Sequence, residues 1–356
     1  MNPARRVHSL VPTDVVCTLP GSAEFRGLLY ATAAILHAAA LVRISTFPTP
    51  TDHSKRFDRT AFVGSKSLPN CSVEESLIKL GLHVSISGTL DNAPDNAREF
   101  ACDTFQMFTR NPRGWKFSRL DEQEVQGFRK KTREFDLSPV VTHMPYLPNL
   151  SSPKKAIYNK SVKSLSAELD RCGVLGIPYV VTHLGSHLGK GADVGLGNLV
   201  SAINFALDNN KNDVMLLLEN TAGTKNSMGS TFEDIRRIVD GIDDKKRIGI
   251  CLDTAHAFAA GYDIRTPDGV DQTLKKFESA IGLGRLKVIH LNDSKGELGC
   301  GRDRHEHIGL GHIGEEGFRA LFKHAATGTL PFILETPIDD SRDAEGDIKK
   351  ARSLAA

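Results

Sequence analysis

Pro178-Tyr179-Val180-Val181-Thr182-His183 is a short, β-branched apolar run that stops on an imidazole. A run of this length and composition reads as a strand buried on both faces, as in a parallel sheet. Seven more lie along the chain: Leu80–His83, Thr104–Phe108, Pro139–His143, Val214–Glu219, Ile248–Asp253, Leu286–His290 and Phe332–Glu335. Of the eight, only Thr104–Phe108 ends without a histidine or a carboxylate. Stretches with helical spacing separate them: Leu90–Phe100, Glu122–Phe135, Ser161–Leu175, Asn198–Asp208, Thr231–Ile242, Asp271–Ile281, Glu315–Lys323 and Asp343–Leu354. Alternation of strand and helix implies a parallel sheet with right-handed crossovers. Eight such units, with no glycine-rich dinucleotide fingerprint after the first strand, favour an α/β fold closed as a TIM (β/α)8 barrel. The carboxyl ends of barrel strands form the rim where chemistry is assembled. Ligand-type groups at so many equivalent points mark the chain as a metalloenzyme.

Composition sets wider bounds. The 356 residues are enough for one barrel plus an extension, and 25% charged with 40% hydrophobic residues is ordinary for a globular chain. A net charge of +2 is too weak to argue for nucleic acid alone, although bound divalent cations would make the active face far more positive. Six cysteines (Cys17, Cys71, Cys102, Cys172, Cys251, Cys300) include no CxxC pair, which argues against a disulfide framework or a thiolate zinc site and for a reducing compartment. The division expected is an N-terminal extension over 1–76 and a barrel over 77–356. The extension carries Arg5, Arg6, Arg26 and Arg43 against few acids. Its apolar stretch Gly27–Val42 spans 16 residues, short for a membrane crossing, so no stable membrane association is expected. A transit segment and an unstructured extension without function both fit.

The rim gathers His143, His183, Glu219, Asp253, His290 and Glu335 from strand ends. His256 follows Asp253 on the adjoining loop, and Asp303 with His305 adds an i, i+2 pair. Five imidazoles and four carboxylates without a thiolate suit zinc, manganese or iron. Nine ligands serve three open ions if one carboxylate bridges two, an arrangement suited to phosphoryl chemistry. Each group has a plainer reading alone. A strand-end histidine is commonly a hydrogen-bonded core residue, Asp253/His256 a loop salt bridge, and Asp303 between Arg302 and Arg304 a surface charge cluster. Together on one rim they would be costly to bury without cations. After the second strand, the loop Arg110–Arg119 offers four cations (Arg110, Arg113, Lys116, Arg119) and aromatic rings to a phosphate backbone. It also fits a solvated loop with Trp115 tucked into the core.

At these residues the chain resembles the endonuclease IV type of apurinic/apyrimidinic endonuclease. The likeness runs from about Leu80 to Glu335 through Asn111-Pro112-Arg113-Gly114-Trp115, His143-Met144-Pro145-Tyr146-Leu147 and Leu218-Glu219-Asn220-Thr221-Ala222-Gly223. It continues through Cys251-Leu252-Asp253-Thr254-Ala255-His256, His290-Leu291-Asn292-Asp293-Ser294-Lys295, Asp303-Arg304-His305 and Leu334-Glu335-Thr336-Pro337. The resemblance implies three zinc ions per chain. His143, His183 and Glu219 would hold the first; Glu219, as a bridge and the catalytic carboxylate, would share the second with Asp253, His290 and Glu335. His256, Asp303 and His305 would hold the third. It also implies a monomer acting in base excision repair on double-stranded DNA containing abasic sites, with Arg113, Tyr146 and Leu147 entering the helix at the lesion. Water rather than a side chain would attack the phosphodiester 5′ to the abasic sugar, leaving a 3′-hydroxyl and a 5′-deoxyribose phosphate. Cys300 stands where the family has a smaller residue, which would put a thiol near the third ion. His83 is not a ligand in the family pattern and reads as a supporting or core residue; His187 and His312 read as loop residues, structural or close to phosphate. Two rivals are a metal-dependent sugar isomerase on the same barrel and a non-catalytic DNA-binding protein on a decayed one. The trio His256, Asp303 and His305 weighs against the first, the complete ligand set against the second. The compartment expected is nucleus or mitochondrion in a eukaryote, cytoplasm otherwise.

Overall fold

The computed structural model describes residues 78–356. The extension over 1–76 and its targeting therefore lie outside the described residues. β1 (Lys79–His83), β2 (Thr104–Met107), β3 (Val140–His143), β4 (Tyr179–His183), β5 (Met215–Glu219), β6 (Ile248–Asp253) and β7 (Leu286–His290) run parallel around a barrel. A two-stranded antiparallel ribbon, β8 (Asp293–Ser294) with β9 (His305–Glu306), stands on the loop after β7. β10 (Pro331–Leu334) then closes the barrel between β7 and β1.

Helices follow the strands: α1 (Ala93–Glu99), α2 (Glu122–Glu134), α3 (Lys155–Leu175), α4 (Ala192–Asp208), α5 (Phe232–Gly241), α6 (Thr254–Ala259), α7 (Pro267–Ala280), α8 (Gly314–Lys323) and α9 (Ala344–Ala355). α3 and α4 begin well before the expected Ser161 and Asn198. The side chains of Asp121, Thr231, Thr266 and Asp343 cap α2, α5, α7 and α9 through first-turn N–H groups, which would otherwise lack partners. α6 corrects the placing of His256 on a loop. The Asp253 carboxylate accepts the His256 N–H at 2.7 Å and starts a helix directly at the strand end.

Strand parity positions the site. Val141, Val181, Leu217, Cys251, Val288 and Ile333 form a fully buried layer inside the barrel. Gly81 lies in the same interior, where a Cβ would fall 1.9 Å from the Thr104 carbonyl oxygen, so only glycine lets β1 approach β2. Side chains alternate along a strand, so residues two further on share the inward face. Those residues are His83, Gln106, His143, His183, Glu219, Asp253, His290 and Glu335. In register, His183 stands opposite Glu219 and Asp253 opposite His290. Phe105, Phe128, Phe232, Phe277, Phe318 and Phe332 fill the outer core between strands and helices.

Candidate metal centre

Glu219 is the hub of the inward layer. Its Oε2 lies 3.1 Å from His143 Nε2 and 3.1 Å from His183 Nε2, while its Oε1 lies 3.1 Å from His290 Nδ1. The two oxygens of one buried carboxylate thus serve two neighbouring groups. On the second side, His290 Nδ1 is 3.2 Å from Glu335 Oε2 and 3.9 Å from Asp253 Oδ2. A third group forms where α6 and β9 meet. Asp303 Oδ1 is 3.2 Å from His256 Nε2 and 3.5 Å from His305 Nε2, and Asp253 Oδ2 is 3.6 Å from His305 Nε2. Ligand atoms converge within 4.8 Å in three sets: His143, His183, Glu219; Glu219, Asp253, His290, Glu335; and Asp253, His256, His305. All nine residues singled out from the sequence meet on one face, and Asp253 stands between the second and third sets.

Hydrogen bonds behind the rings decide what the inner nitrogens offer. His143 Nδ1 donates to the Met144 carbonyl at 2.7 Å, His256 Nδ1 to the Asn220 carbonyl at 3.0 Å and His305 Nδ1 to the Glu335 carbonyl at 3.1 Å. His290 Nε2 donates to Gln106 Oε1 at 2.9 Å. An amide or peptide oxygen can only accept, so each outer nitrogen carries a hydrogen and the inner one is left to bind a proton or a metal ion. A lone pair facing a carboxylate is repulsive, so each inner nitrogen needs a proton or a metal ion between it and the carboxylates. His305 Nε2 is buried and makes no hydrogen bond, as a ligand atom should. The donor set therefore fits divalent ions, with carbonyl-bound imidazoles of the kind that orient ligands at such sites.

The electrostatics agree. Burial alone would lower the His256 pKa, but Asp253, Asp303 and Glu219 raise it to about 10. Burial would raise the Glu219 and Glu335 pKa values, yet the surrounding imidazoles hold both well below the usual carboxylate range. At His183 burial prevails and lowers the pKa, so the cluster holds positive charge at His256 more tightly than at His183.

Gln106 is a site residue that the strand-end pattern missed. Its Nε2 donates to Glu335 Oε1 at 2.5 Å and to His83 Nδ1 at 2.9 Å, so it fills the place left by the strand without a terminal ligand. His83 Nδ1 also lies 3.2 Å from Glu335 Oε1, so Gln106 is the donor that joins the two. Asn220 and Asn292 brace Asp253: Asn220 Oδ1 accepts its N–H at 2.7 Å and Asn292 Nδ2 donates to its Oδ2 at 2.7 Å. Above the metal groups is a cavity of about 410 Å³ whose wall includes Phe108, Tyr146, His183, Glu335 and Ile338. Tyr146 is 68% exposed, Leu147 40% and Ile338 95%, all at its mouth or beside it. Ile338 carried no signal in the sequence.

The loop after β2 needs a correction. Arg110 is not free for phosphate: it is buried, and its guanidinium donates to Glu168 Oε1 at 2.7 Å and to the Gly114 carbonyl at 2.8 Å. Arg113, Lys116 and Arg119 remain exposed. Trp115 is half-buried rather than tucked into the core, with Lys160 Nζ 5.5 Å above its ring. Cys300 Sγ lies 3.9 Å from the Arg302 carbonyl oxygen. His187 Nδ1 accepts the Gly191 N–H at 3.1 Å, a loop-shaping contact, and His312 is exposed. The four described cysteines are free, and no helix among the described residues is long and apolar enough to cross a membrane.

A closed parallel barrel whose rim brings five imidazoles and four carboxylates together is a TIM-barrel metalloprotein. Residues 94–355 match the family model described as xylose isomerase-like TIM barrel. A probable endonuclease 4 of Methanoculleus marisnigri is 56% identical over 280 residues, covering 78% of this chain and 99% of that protein. One of Nitrosopumilus maritimus is 50% identical over 78% of this chain and 100% of its own length. The solved endonuclease IV from Thermus thermophilus superposes with a TM-score of 0.69 at 34% identity, covering 78% of this chain and 98% of that one. The chain belongs to the endonuclease IV family. A D-tagatose 3-epimerase-like protein (20% identical, TM-score 0.59) shares the fold alone.

Proposed function

We propose that this chain is a zinc-dependent endonuclease of base excision repair that cleaves double-stranded DNA on the 5′ side of an abasic site. One observation carries the metal part: the two oxygens of Glu219 face different imidazole groups, each 3.1 Å away, as a carboxylate shared between two ions requires. His143 and His183 would complete the first ion's set, Asp253, His290 and Glu335 the second, and His256, Asp303 and His305 the third. Bound there, zinc supplies an acidified water and the positive charge that a phosphodiester needs as it is cleaved.

The chain's own residues supply the rest. Arg113, Lys116 and Arg119 are exposed on the loop that follows β2, and their charge serves to meet phosphates and set the register of the duplex. Tyr146 and Leu147 occupy the space left by the extruded nucleotide. A baseless sugar leaves the stack cheaply, because its pairing and stacking are already lost. Glu219 orients the attacking water in line with the phosphorus. The phosphorus–O3′ bond breaks, leaving a 3′-hydroxyl on one side and a 5′-deoxyribose phosphate on the other. One chain carries all nine ligands, which supports action as a monomer. The same reading puts the protein wherever DNA is kept, in nucleus or mitochondrion of a eukaryote and in the cytoplasm otherwise.

The test is nicking of a duplex oligonucleotide with one abasic analogue, with elemental analysis of the protein used. Incision at the analogue, loss of it on chelation and return with zinc are expected. A zinc-loaded protein that leaves the duplex intact, or one that cuts equally well after the metal is removed, would overturn the assignment.

A further inference from the structure

His307 lies two residues beyond His305 and belongs to none of the metal groups. Its ring is fully buried, with Nδ1 2.6 Å from Asp347 Oδ2 and Nε2 3.0 Å from Asp339 Oδ1. A carboxylate at each end of the ring fixes its orientation. Asp347, itself buried in α9, accepts the Ile308 N–H at 3.1 Å and an Arg342 Nη1 hydrogen at 3.2 Å through its other oxygen. Arg342 Nη1 also donates to the Ile308 carbonyl at 2.7 Å. One imidazole therefore joins three segments: the end of β9 that carries His305, the loop that begins at Glu335, and the C-terminal helix.

Two further contacts show what the joint holds. His305 Nδ1 donates to the Glu335 carbonyl at 3.1 Å, a direct link between the second and third groups. On the far side, the buried Asp293 carboxylate accepts the N–H groups of Gly309, Gly311 and Ile313 at 3.0, 3.1 and 2.9 Å. The stretch that follows His305 is thus pinned by Asp293 on one flank and by His307 on the other. The barrel itself has no need of the joint, because β10 is already paired with β1 and β7. Nor does α9 need buried charge to dock, since Ile348, Ala351 and Leu354 bury an apolar face. Buried ionic groups are poor contributors to net stability, and in some proteins they fix one arrangement over its neighbours.

We infer that His307 is a positioning residue of the metal centre: clamped between Asp339 and Asp347, it sets the spacing between His305 and Glu335 and makes retention of the third ion depend on the C-terminal helix. The inference rests on the three-ion reading above.

The test uses the full chain and two variants, His307→Gln and Asp339→Asn. Asp339 is partly exposed, so its substitution leaves the fold in place and carries the test should His307→Gln fail to fold. Zinc per chain is measured against graded chelator, beside kcat and KM on the abasic duplex. Wild type should keep three ions where the variants keep two, with the affinity for the weakest ion falling about 10–100-fold. kcat should fall with KM unchanged and recover with excess zinc, a rescue that a merely misfolded protein would not give. Folded variants that hold three ions with wild-type affinity would overturn the inference and leave the endonuclease reading standing. A wild-type protein that binds fewer than three ions, or does not nick the duplex, would remove the reading beneath it as well.

Discussion

Glu219→Gln isolates the shared carboxylate, because the amide nearly matches its shape and removes its charge. In the native centre Oε2 faces two imidazole nitrogens and Oε1 faces a third, all at 3.1 Å. The substitution therefore weakens two ion sites at once, and its amide hydrogens point at cations. Changing a group that merely supports a ligand costs about 10–100-fold in metal affinity. Taking that as the floor for each of two ions, joint occupancy should fall by about 10²–10⁴, or roughly 3–5 kcal/mol. Turnover should follow at zinc concentrations near half-saturation of wild type, and excess zinc should restore it only in part, since the residue that orients water is gone. The assay is single-turnover nicking of a labelled abasic duplex over a zinc titration, with the metal content of the same samples. If Glu219→Gln cleaved within about tenfold of wild type while holding a full metal complement, Glu219 would not be shared and the bridging argument would fail.

Three other outcomes test separate links. Gly81→Ala puts a Cβ 1.9 Å from the Thr104 carbonyl oxygen, so β1 and β2 must part; a loss of about 3 kcal/mol or more should appear as a lower urea midpoint, and an unchanged midpoint would contradict the packing. Ile338→Ser removes an apolar side chain that is 95% exposed at the cavity mouth, and should raise KM for the abasic duplex severalfold without altering kcat or zinc content. An equal KM would take Ile338 out of the interface. In the metal-free protein, burial works against the His256 proton, but its acidic neighbours lift its pKa from 6.5 to about 10. That proton's contribution to stability is fully present below the unfolded value and is lost as pH rises through the folded one. Zinc competes for the same nitrogen, so its affinity should climb over that window. Denaturation of chelated protein on either side of the window checks the sign; a flat profile would mean that His256 holds no such proton.

The barrel and the convergence of its ligand-type residues were legible for the same reason. A strand buried on both faces must be apolar throughout, and inward parity carries every second residue up to the rim. Val181 and His183, Leu217 and Glu219, Cys251 and Asp253 repeat that step from strand to strand, so ligands announce themselves by position as well as type. The same parity would have exposed Gln106, two residues after Thr104 on the inward face; extending the run to Phe108 moved its apparent end past the polar residue. α6 escaped because Thr254–Ala259 is buried on every side and shows no polar face, and its start depends on Asp253, which caps the helix and also stands in two of the groups that could hold a metal. α4 began earlier than expected because Gly195 and Gly197 weaken the helical signal of its first turns. Arg110 was misjudged for a different reason. Its partner Glu168 lies 58 residues away on α3, and no local pattern distinguishes a cation that will be buried against a remote carboxylate from one that will meet phosphate. His307 is the same case, held by Asp339 and Asp347 from segments well down the chain. Repetition of the fold makes the ligand-type residues readable, whereas the groups that hold them in place come from single, non-repeating contacts between distant segments. Support of that kind exists only in the folded chain, where His307, Asp339 and Asp347 come together beside the second and third groups.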